Sequence, residues 1–345
     1  MTGLLLATSL AALPMKDEVA IFANLAVYPI YGTASPAASD YISLDEGLKQ
    51  GTVVVSETGG TVPPLVRNRP PGASRQTNQR PAQQVQQQVQ GAGTVNTLWL
   101  TNKSGKKLFI LTGEIVAGGK QDRIIQKDVL IPPTKEPVNL SVFCVEQQRW
   151  VANNGIVTFA PAAGGAGGLA DPTLRGKSQN DRNQQAVWSQ VESTSRRLKT
   201  ENATKTYQAN LNDPKLKQSV EGYVAAIEKA FPVQRASGAV VAINGKLVWM
   251  DRFMDNTMFR KYWPKMIRSY AIDAIQSRER TPTPKPPTYD AAMRFAAARD
   301  GKMTHEAEDG VWQLTKIDSA AHVIFELTDL RPSKDILVHA SKMAK

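Results

Sequence analysis

Between residues 94 and 150 the chain reverses direction every few residues, and this block constrains the fold more than any other part of the sequence. Stretches of strand-forming residues at 95–101, 108–116, 123–131 and 138–145 alternate with turn signals such as Lys103-Ser104-Gly105 and Gly118-Gly119. Short strands separated in this way pair antiparallel, which predicts a sandwich or partial barrel. With 345 residues, the chain is long enough for two domains, or for one large domain with insertions, and can bury a substantial core.

The flanking segments fill out an α+β class, with an antiparallel β-rich N-terminal half and a helical and mixed C-terminal half. Residues 19–31 read as one strand. Ser43-Leu44-Asp45-Glu46 has capping-box spacing and opens a short helix that Gly51 stops, ahead of a strand at 52–57. Residues 59–93 turn abruptly to Pro, Gly, Arg and Gln, a composition that cannot bury enough surface to order itself, and so predict a disordered insertion within a β-rich region 15–159. A Gly/Ala-rich loop at 160–180 leads to the second region, 181–345, packed with the first as one unit. There Asp181 caps a helix whose Val187, Trp188, Val191 and Leu198 share a face, and Asp213-Pro214 starts another. Asn244-Gly245 closes a hairpin. A long helix covers 256–278, with Pro264 kinking it or starting its second half. A proline-rich connector, a helix at 290–298 and strands at 311–317, 321–328 and 336–339 finish the chain.

Composition removes several classes of function. No run of about 18 apolar residues is present to cross a bilayer as a helix. Cys144 stands alone, so an intramolecular disulfide and a multi-thiolate zinc site are both excluded, and His305, His322 and His339 are far apart in sequence. The net charge of +11 is scattered rather than gathered in one basic block, which suits a small anionic ligand and does not favour nucleic acid. Residues 1–14 carry an apolar stretch of signal-peptide length without a basic lead. As a leader it directs export to the periplasm or outside the cell; a start at Met15 instead leaves the protein cytoplasmic.

Chemistry concentrates between Gly113 and Trp150. The glycine pair Gly118-Gly119 lets the backbone come close to a ligand and is followed by Gln121, Asp122 and Arg123, whose guanidinium suits a carboxylate or phosphate. Farther on stand Cys144, Glu146, Arg149 and Trp150. Asp122 and Glu146 read in two ways, as an acid–base pair able to hold magnesium or as partners of Arg123 and Arg149 in a structural ion-pair network. Cys144, with a carboxylate two residues away and no histidine close in sequence, reads as a packed thiol rather than a nucleophile. Trp150 is either a stacking platform or core. In Phe259-Arg260-Lys261-Tyr262-Trp263-Pro264-Lys265 the aromatic spacing predicts a packing face, with Arg260, Lys261 and Lys265 as a solvated basic edge. No phosphate loop, dinucleotide fingerprint, nucleophile elbow or metalloprotease helix occurs.

Several of these runs, taken in order, resemble one family. They are Tyr41-Ile42-Ser43-Leu44-Asp45-Glu46-Gly47-Leu48, Gly113-Glu114 through Asp122-Arg123, Asp128-Val129-Leu130-Ile131-Pro132-Pro133, Phe143-Cys144-Val145-Glu146 through Arg149-Trp150, and Ala242-Ile243-Asn244-Gly245 with the Phe259 to Lys265 stretch. Together they are similar to the ARG and rhodanese-phosphatase-superfamily-associated proteins. The resemblance implies a link to ADP-ribose or NAD metabolism through neighbouring ADP-ribosylglycohydrolase genes, and it carries no catalytic residue across. Three readings follow. The first is a binding site for a small anionic, nucleotide-related molecule, with Gln121, Arg123, Arg149 and Trp150 around Gly118 and Gly119. The second is a hydrolase using Asp122 and Glu146 with or without magnesium, and the third is a secreted interaction module.

Overall fold

A computed structural model describes residues 19–32, 34–58, 96–119, 121–146, 158–162, 168–200, 206–279 and 284–345. Residues 1–14, the glutamine-rich insertion, the centre of the Gly/Ala loop, Arg149 and Trp150 lie outside them.

The N-terminal part runs β1 (Ala20–Phe22), β2 (Leu25–Tyr31), β3 (Tyr41–Ser43), α1 (Leu44–Lys49), β4 (Val53–Glu57), β5 (Thr97–Asn102), β6 (Lys107–Ile110), β7 (Ile115–Gly118), β8 (Arg123–Ile125), β9 (Val129–Ile131), β10 (Val138–Cys144) and β11 (Phe159–Pro161). Then come α2 (Pro172–Gly176), a π-helical turn (Lys177–Asp181), α3 (Gln184–Leu198), α4 (Tyr207–Asn212), α5 (Pro214–Ala230), β12 (Ala236–Ile243), β13 (Lys246–Phe253), α6 (Asn256–Gln276), α7 (Tyr289–Ala297), β14 (Lys302–Glu308), β15 (Trp312–Asp318), β16 (His322–Asp329) and β17 (Ile336–Ala344). No helix among the described residues is long and apolar enough to cross a membrane.

The fold is α+β, built on three sheets. An antiparallel sheet of order β11-β7-β8-β10-β5-β4 is joined edge to edge by a Ser56–Thr158 bridge, so it is a nearly closed barrel. Val55, Leu98, Leu100, Val116 and Ile125 belong to the apolar cluster this sheet encloses with α1 and its neighbours. A small sheet, β3-β6-β9, lies beside it. An eight-stranded antiparallel sheet, β1-β2-β12-β13-β17-β16-β15-β14, draws strands from both ends of the chain. The long helix α6 packs on it in the main core, where Trp263 stacks on Phe231 with ring centroids 4.3 Å apart.

Where local chemistry dictates an element, sequence and structure agree. Ser43 and Glu46 form a reciprocal capping box at α1, Asp213 caps α5, and Asn244-Gly245 turns with φ of 51° and 74°. Pro264 lies inside α6 without ending it. Five predicted features are corrected, one of them the loop at 160–180, which holds α2 and most of the π-helical turn. The single strand at 19–31 is the hairpin β1–β2, whose Ala23-Asn24 turn carries no Gly or Pro. Distant partners hold it: the Asn24 amide donates to Asn244 Oδ1 and Ala274 O, and its oxygen accepts from Tyr223. The cap of α3 is Asn183, not Asp181, which ends the π-helical turn. Strands predicted at 108–116 and 123–131 each break in two, with the halves in different sheets. Lys265 is buried rather than solvated, because α6 crosses the corner at Glu114 and the lysine pairs there with Glu114 and with Asp45 at 2.6 Å.

Both strand breaks have one cause, a buried polar hub centred on Asp251. Arg175 grips this carboxylate through both terminal nitrogens at 2.8 and 2.7 Å, Tyr270 donates to it at 2.6 Å, and the Trp249 indole donates at 2.9 Å. His339 reaches Asp251 through Nε2 at 3.2 Å and Asp128 through Nδ1 at 2.6 Å. Asp128 in turn accepts from the Thr112 N–H, and Arg175 Nε donates to the Thr112 carbonyl. The chain thus leaves the ladder at Thr112-Gly113 and again at residues 126–128. Gly113 has φ of 84°, and a Cβ there would come within 2.2 Å of Arg175 Cγ, so only glycine fits.

Two cations and two carboxylates, all fully buried, balance in this hub. A histidine between two carboxylates donates from both ring nitrogens only as imidazolium. Burial opposes that charge, but Asp128 and Asp251 outweigh it and raise the His339 pKa to about 9. Since the ordinary histidine value lies near 6.5, the stabilisation is complete below about pH 6.5 and lost as pH rises through about 9. Chemical denaturation across this range should show a fall of roughly 3 kcal/mol that a His339→Gln variant, less stable throughout, does not show.

Candidate functional site

The residues singled out around the glycine turn lie together, and most of their polar atoms hold backbone. Gly118 and Gly119 have φ of 134° and 62°, and a Cβ on either would strike β11 or the residue before it, the nearest atoms being Thr158 O at 2.7 Å and Phe159 Cζ at 2.4 Å. Their freedom therefore serves the approach of a neighbouring strand. Gln121 donates to the Glu146 carbonyl at 2.7 Å, the Glu146 carboxylate accepts from the Asp122 N–H at 2.9 Å, and Asp122 accepts from the Gly118 N–H at 3.1 Å. Arg123 is 2% exposed. It donates to the Gln121 carbonyl at 2.7 Å and pairs with Glu57 at 3.6 Å, while its Nε has no hydrogen-bond partner. Cys144 is buried, and burial pushes its thiol up to about 11, against the charge of Arg123 and aided by Glu57 and Glu146. It is a protonated thiol near neutrality. Glu114, by contrast, leaves this group and pairs with Lys265.

A second constellation escapes the sequence reading. Asp171 caps α2, accepting from the Leu174 N–H at 3.1 Å, with Pro172 needing no partner in the first turn. Asp273 lies in the last turn of α6, where exposed carbonyl ends disfavour a negative charge. The two carboxylates meet across one amide, for Gln276 Nε2 donates to Asp171 Oδ1 at 3.0 Å and to Asp273 Oδ1 at 2.8 Å. Tyr207 donates to the other oxygen of Asp171 at 2.8 Å, and the Thr173 hydroxyl lies 3.0 and 3.2 Å from the two oxygens of Asp273.

Asp273 and Thr173 open onto a cavity of about 360 Å³, a size suited to a small molecule. Trp249, Val248, Met343 and Pro172 form its apolar wall, and Lys177, Asn180 and Asp181 of the π-helical turn form its polar side. Such turns recur at functional sites because they widen a helix and re-aim its side chains. Three amides at this end of the molecule each have a buried atom without a hydrogen-bond partner: Asn180 Oδ1 on the cavity, Gln179 Nε2 in the same turn, and Gln276 Oε1 beside the carboxylates. The hub supports the wall, since Trp249 donates to Asp251 and carries the Arg175 guanidinium over its ring at 4.8 Å.

Burial and the facing charge of Asp171 raise the Asp273 pKa to about 7. Burial raises Asp171 as well, against the hydrogen bonds from Tyr207, Leu174 and Gln276. The two carboxyls titrate as a pair, and Asp171 is the more hydrogen-bonded of the two. Among the described residues no three His, Cys, Asp or Glu side chains converge to hold a metal ion.

Sequence contained half of this signal. Asp171-Pro172 is the same Asp-Pro start that opens α5, within a segment whose Gly/Ala-rich composition predicts a loop. Asp273 follows Tyr262, Met266 and Tyr270 at helical spacing, so a carboxylate on a packing face was there to be noticed. An acid whose folded pKa is raised costs stability once it must ionise. The cost is absent below about pH 4, grows as pH rises, and is complete above about 7. Asp273→Asn should therefore stabilise the protein progressively across that interval, by a few kcal/mol at pH 8 on the order set by the shift, as read from urea denaturation midpoints.

No curated protein and no solved structure matches this chain. The family model described as ARG and Rhodanese-Phosphatase-superfamily-associated Protein domain matches residues 16–342, nearly the whole chain. The chain that builds this carboxylate-lined cavity belongs to that family.

Proposed function

We propose that the Trp249 cavity binds a small anionic, nucleotide-derived molecule and that Asp273 passes a proton to or from it. The observation that carries the reading is the carboxylate pair joined by Gln276 at the cavity wall. The two carboxyls sit in unlike hydrogen-bonded settings and Asp273 is raised to about 7, which is how two carboxyl groups divide acid and base work. Lys177 and Lys345 stand on the rim, where their exposed partners Asp181 and Asp318 can be exchanged for an anion, and the apolar wall of Trp249, Val248 and Met343 suits a ring. The link to ADP-ribosylglycohydrolases that the resemblance implies through neighbouring genes makes ADP-ribose and its derivatives the first ligands to try.

A second reading keeps the anion contact at Arg123, beside Gly118, Gly119 and Gln121, with Arg149 and Trp150 completing it and Asp122 and Glu146 as its carboxylates. It is favoured by the unpartnered Nε of a guanidinium that is otherwise buried. Calorimetric titration and hydrolysis assays with ADP-ribose, ADP-ribosylated peptide and nucleotide sugars, with and without chelator, separate the two. Asp273→Asn should lower turnover by roughly 10²–10⁴-fold while the fold holds, and Trp249→Ala should weaken binding. Loss of binding in Arg123→Ala with Asp273→Asn unaffected would transfer the site to the glycine turn. Inactivity and absence of binding across the whole panel would refute both readings.

A further inference from the structure

The eight-stranded sheet ends in two very different edges. One is β1, three residues long, with Phe22 packed edge-on against Tyr223 at 4.9 Å. The other is β14, seven residues long, with every side chain exposed except the half-buried Glu306. β14 pairs with β15 on one side only, and no described strand pairs with its other side. Such an edge offers a row of main-chain donors and acceptors to another strand. Natural edges of this kind are usually guarded by proline, a bulge or charged side chains, and the half-buried Glu306 of β14 is already paired with Lys127 at 2.9 Å and Arg182 at 3.0 Å. β14 contains no proline, and its pairing with β15 runs without a register shift from Lys302–Asp318 to Glu308–Trp312.

We infer that two copies of this chain join through β14, strand against strand and antiparallel about a two-fold axis at His305, to make one continuous sheet. The order of residues carries the argument. With His305 opposite its own copy, Lys302 faces Glu308 of the second copy, Thr304 faces Glu306, and Met303 faces Ala307, twice over by symmetry. Opposite charges meet at both ends of the ladder, and the 46% exposed Met303 gains a neighbour. Parallel pairing would set Lys302 against Lys302, Glu306 against Glu306 and Glu308 against Glu308. Within the chain, Lys302 lies across from Asp318, which is engaged by Lys316 and Lys345. Glu308 accepts from the Trp312 indole through one oxygen. The charges at the two ends of β14 are thus placed to meet a second copy.

Sedimentation velocity of the full chain from about 1 to about 200 µM tests this pairing, since an interface of a single strand falls at the small, weak end of protein interfaces. The expected result is a concentration-dependent dimer. Lys302→Glu should weaken it about tenfold or more, and the exchange Lys302→Glu with Glu308→Lys should restore it. Cysteine placement reads the register without relying on affinity. Directly opposed residues in an antiparallel pair have Cα atoms about 4.5–5.5 Å apart, within disulfide range. His305→Cys should therefore give a disulfide-linked dimer when oxidised glutathione is supplied, whereas Met303→Cys, about 13 Å from its counterpart at strand spacing, should not. A monomer at every concentration, a dimer indifferent to Lys302→Glu, one the exchange fails to restore, or equal cross-linking at positions 303 and 305 would overturn the inference.

Discussion

The bidentate grip of Arg175 on Asp251 is the interaction on which the rest of the molecule depends. It joins α2 to the centre of the large sheet and, through His339, Asp128 and Thr112, joins that sheet to the barrel side. Neither partner touches water, so each alone would be an uncompensated buried charge. Removing one member of such a pair costs about 3–5 kcal/mol even where the intact pair adds little net stability. The effect of the hub is thus chiefly on specificity, because the three sheets can meet in only one way that satisfies every buried group.

That constraint extends to the cavity. Trp249 is fixed at its nitrogen by Asp251 and at its face by Arg175, and α2 carries Asp171, Thr173 and Arg175 within five residues. The side chains that hold the sheets together therefore belong to the same short elements as the side chains that line the cavity. Asp273 is held with its charge disfavoured by burial, by a neighbouring carboxylate and by a helix end. Such an arrangement lowers stability, and proteins accept that where a proton must be exchanged.

Local chemistry was legible and long-range chemistry was not. The capping box of α1, the Asp213 cap of α5, the Asn244-Gly245 hairpin, the packing face of α6 and the antiparallel barrel strands follow from residues a few positions apart. The strand breaks at Thr112-Gly113 and at residues 126–128 depend on Arg175 and His339, which no local pattern connects to them. The segment from Gly113 to Trp150 attracted notice because its charged residues are unusual in strands, and the resemblance to the family rests partly on it. Within its described part, those charges hold turns and strand ends. Asp273, with a role that requires Asp171 about a hundred residues away, looked like an ordinary helix residue. Lys265 looked solvated for the same reason, since its partners lie on other elements.

The proposed proton exchange requires that Asp273 carry a proton near neutral pH because Asp171 lies beside it. Carbon-13 NMR of selectively labelled aspartate carboxyls, assigned by Asp273→Asn, measures this directly in the folded protein. A midpoint near 7 that falls in Asp171→Asn is the predicted result. A midpoint in the ordinary aspartate range, near 4, and unmoved by that substitution would contradict it.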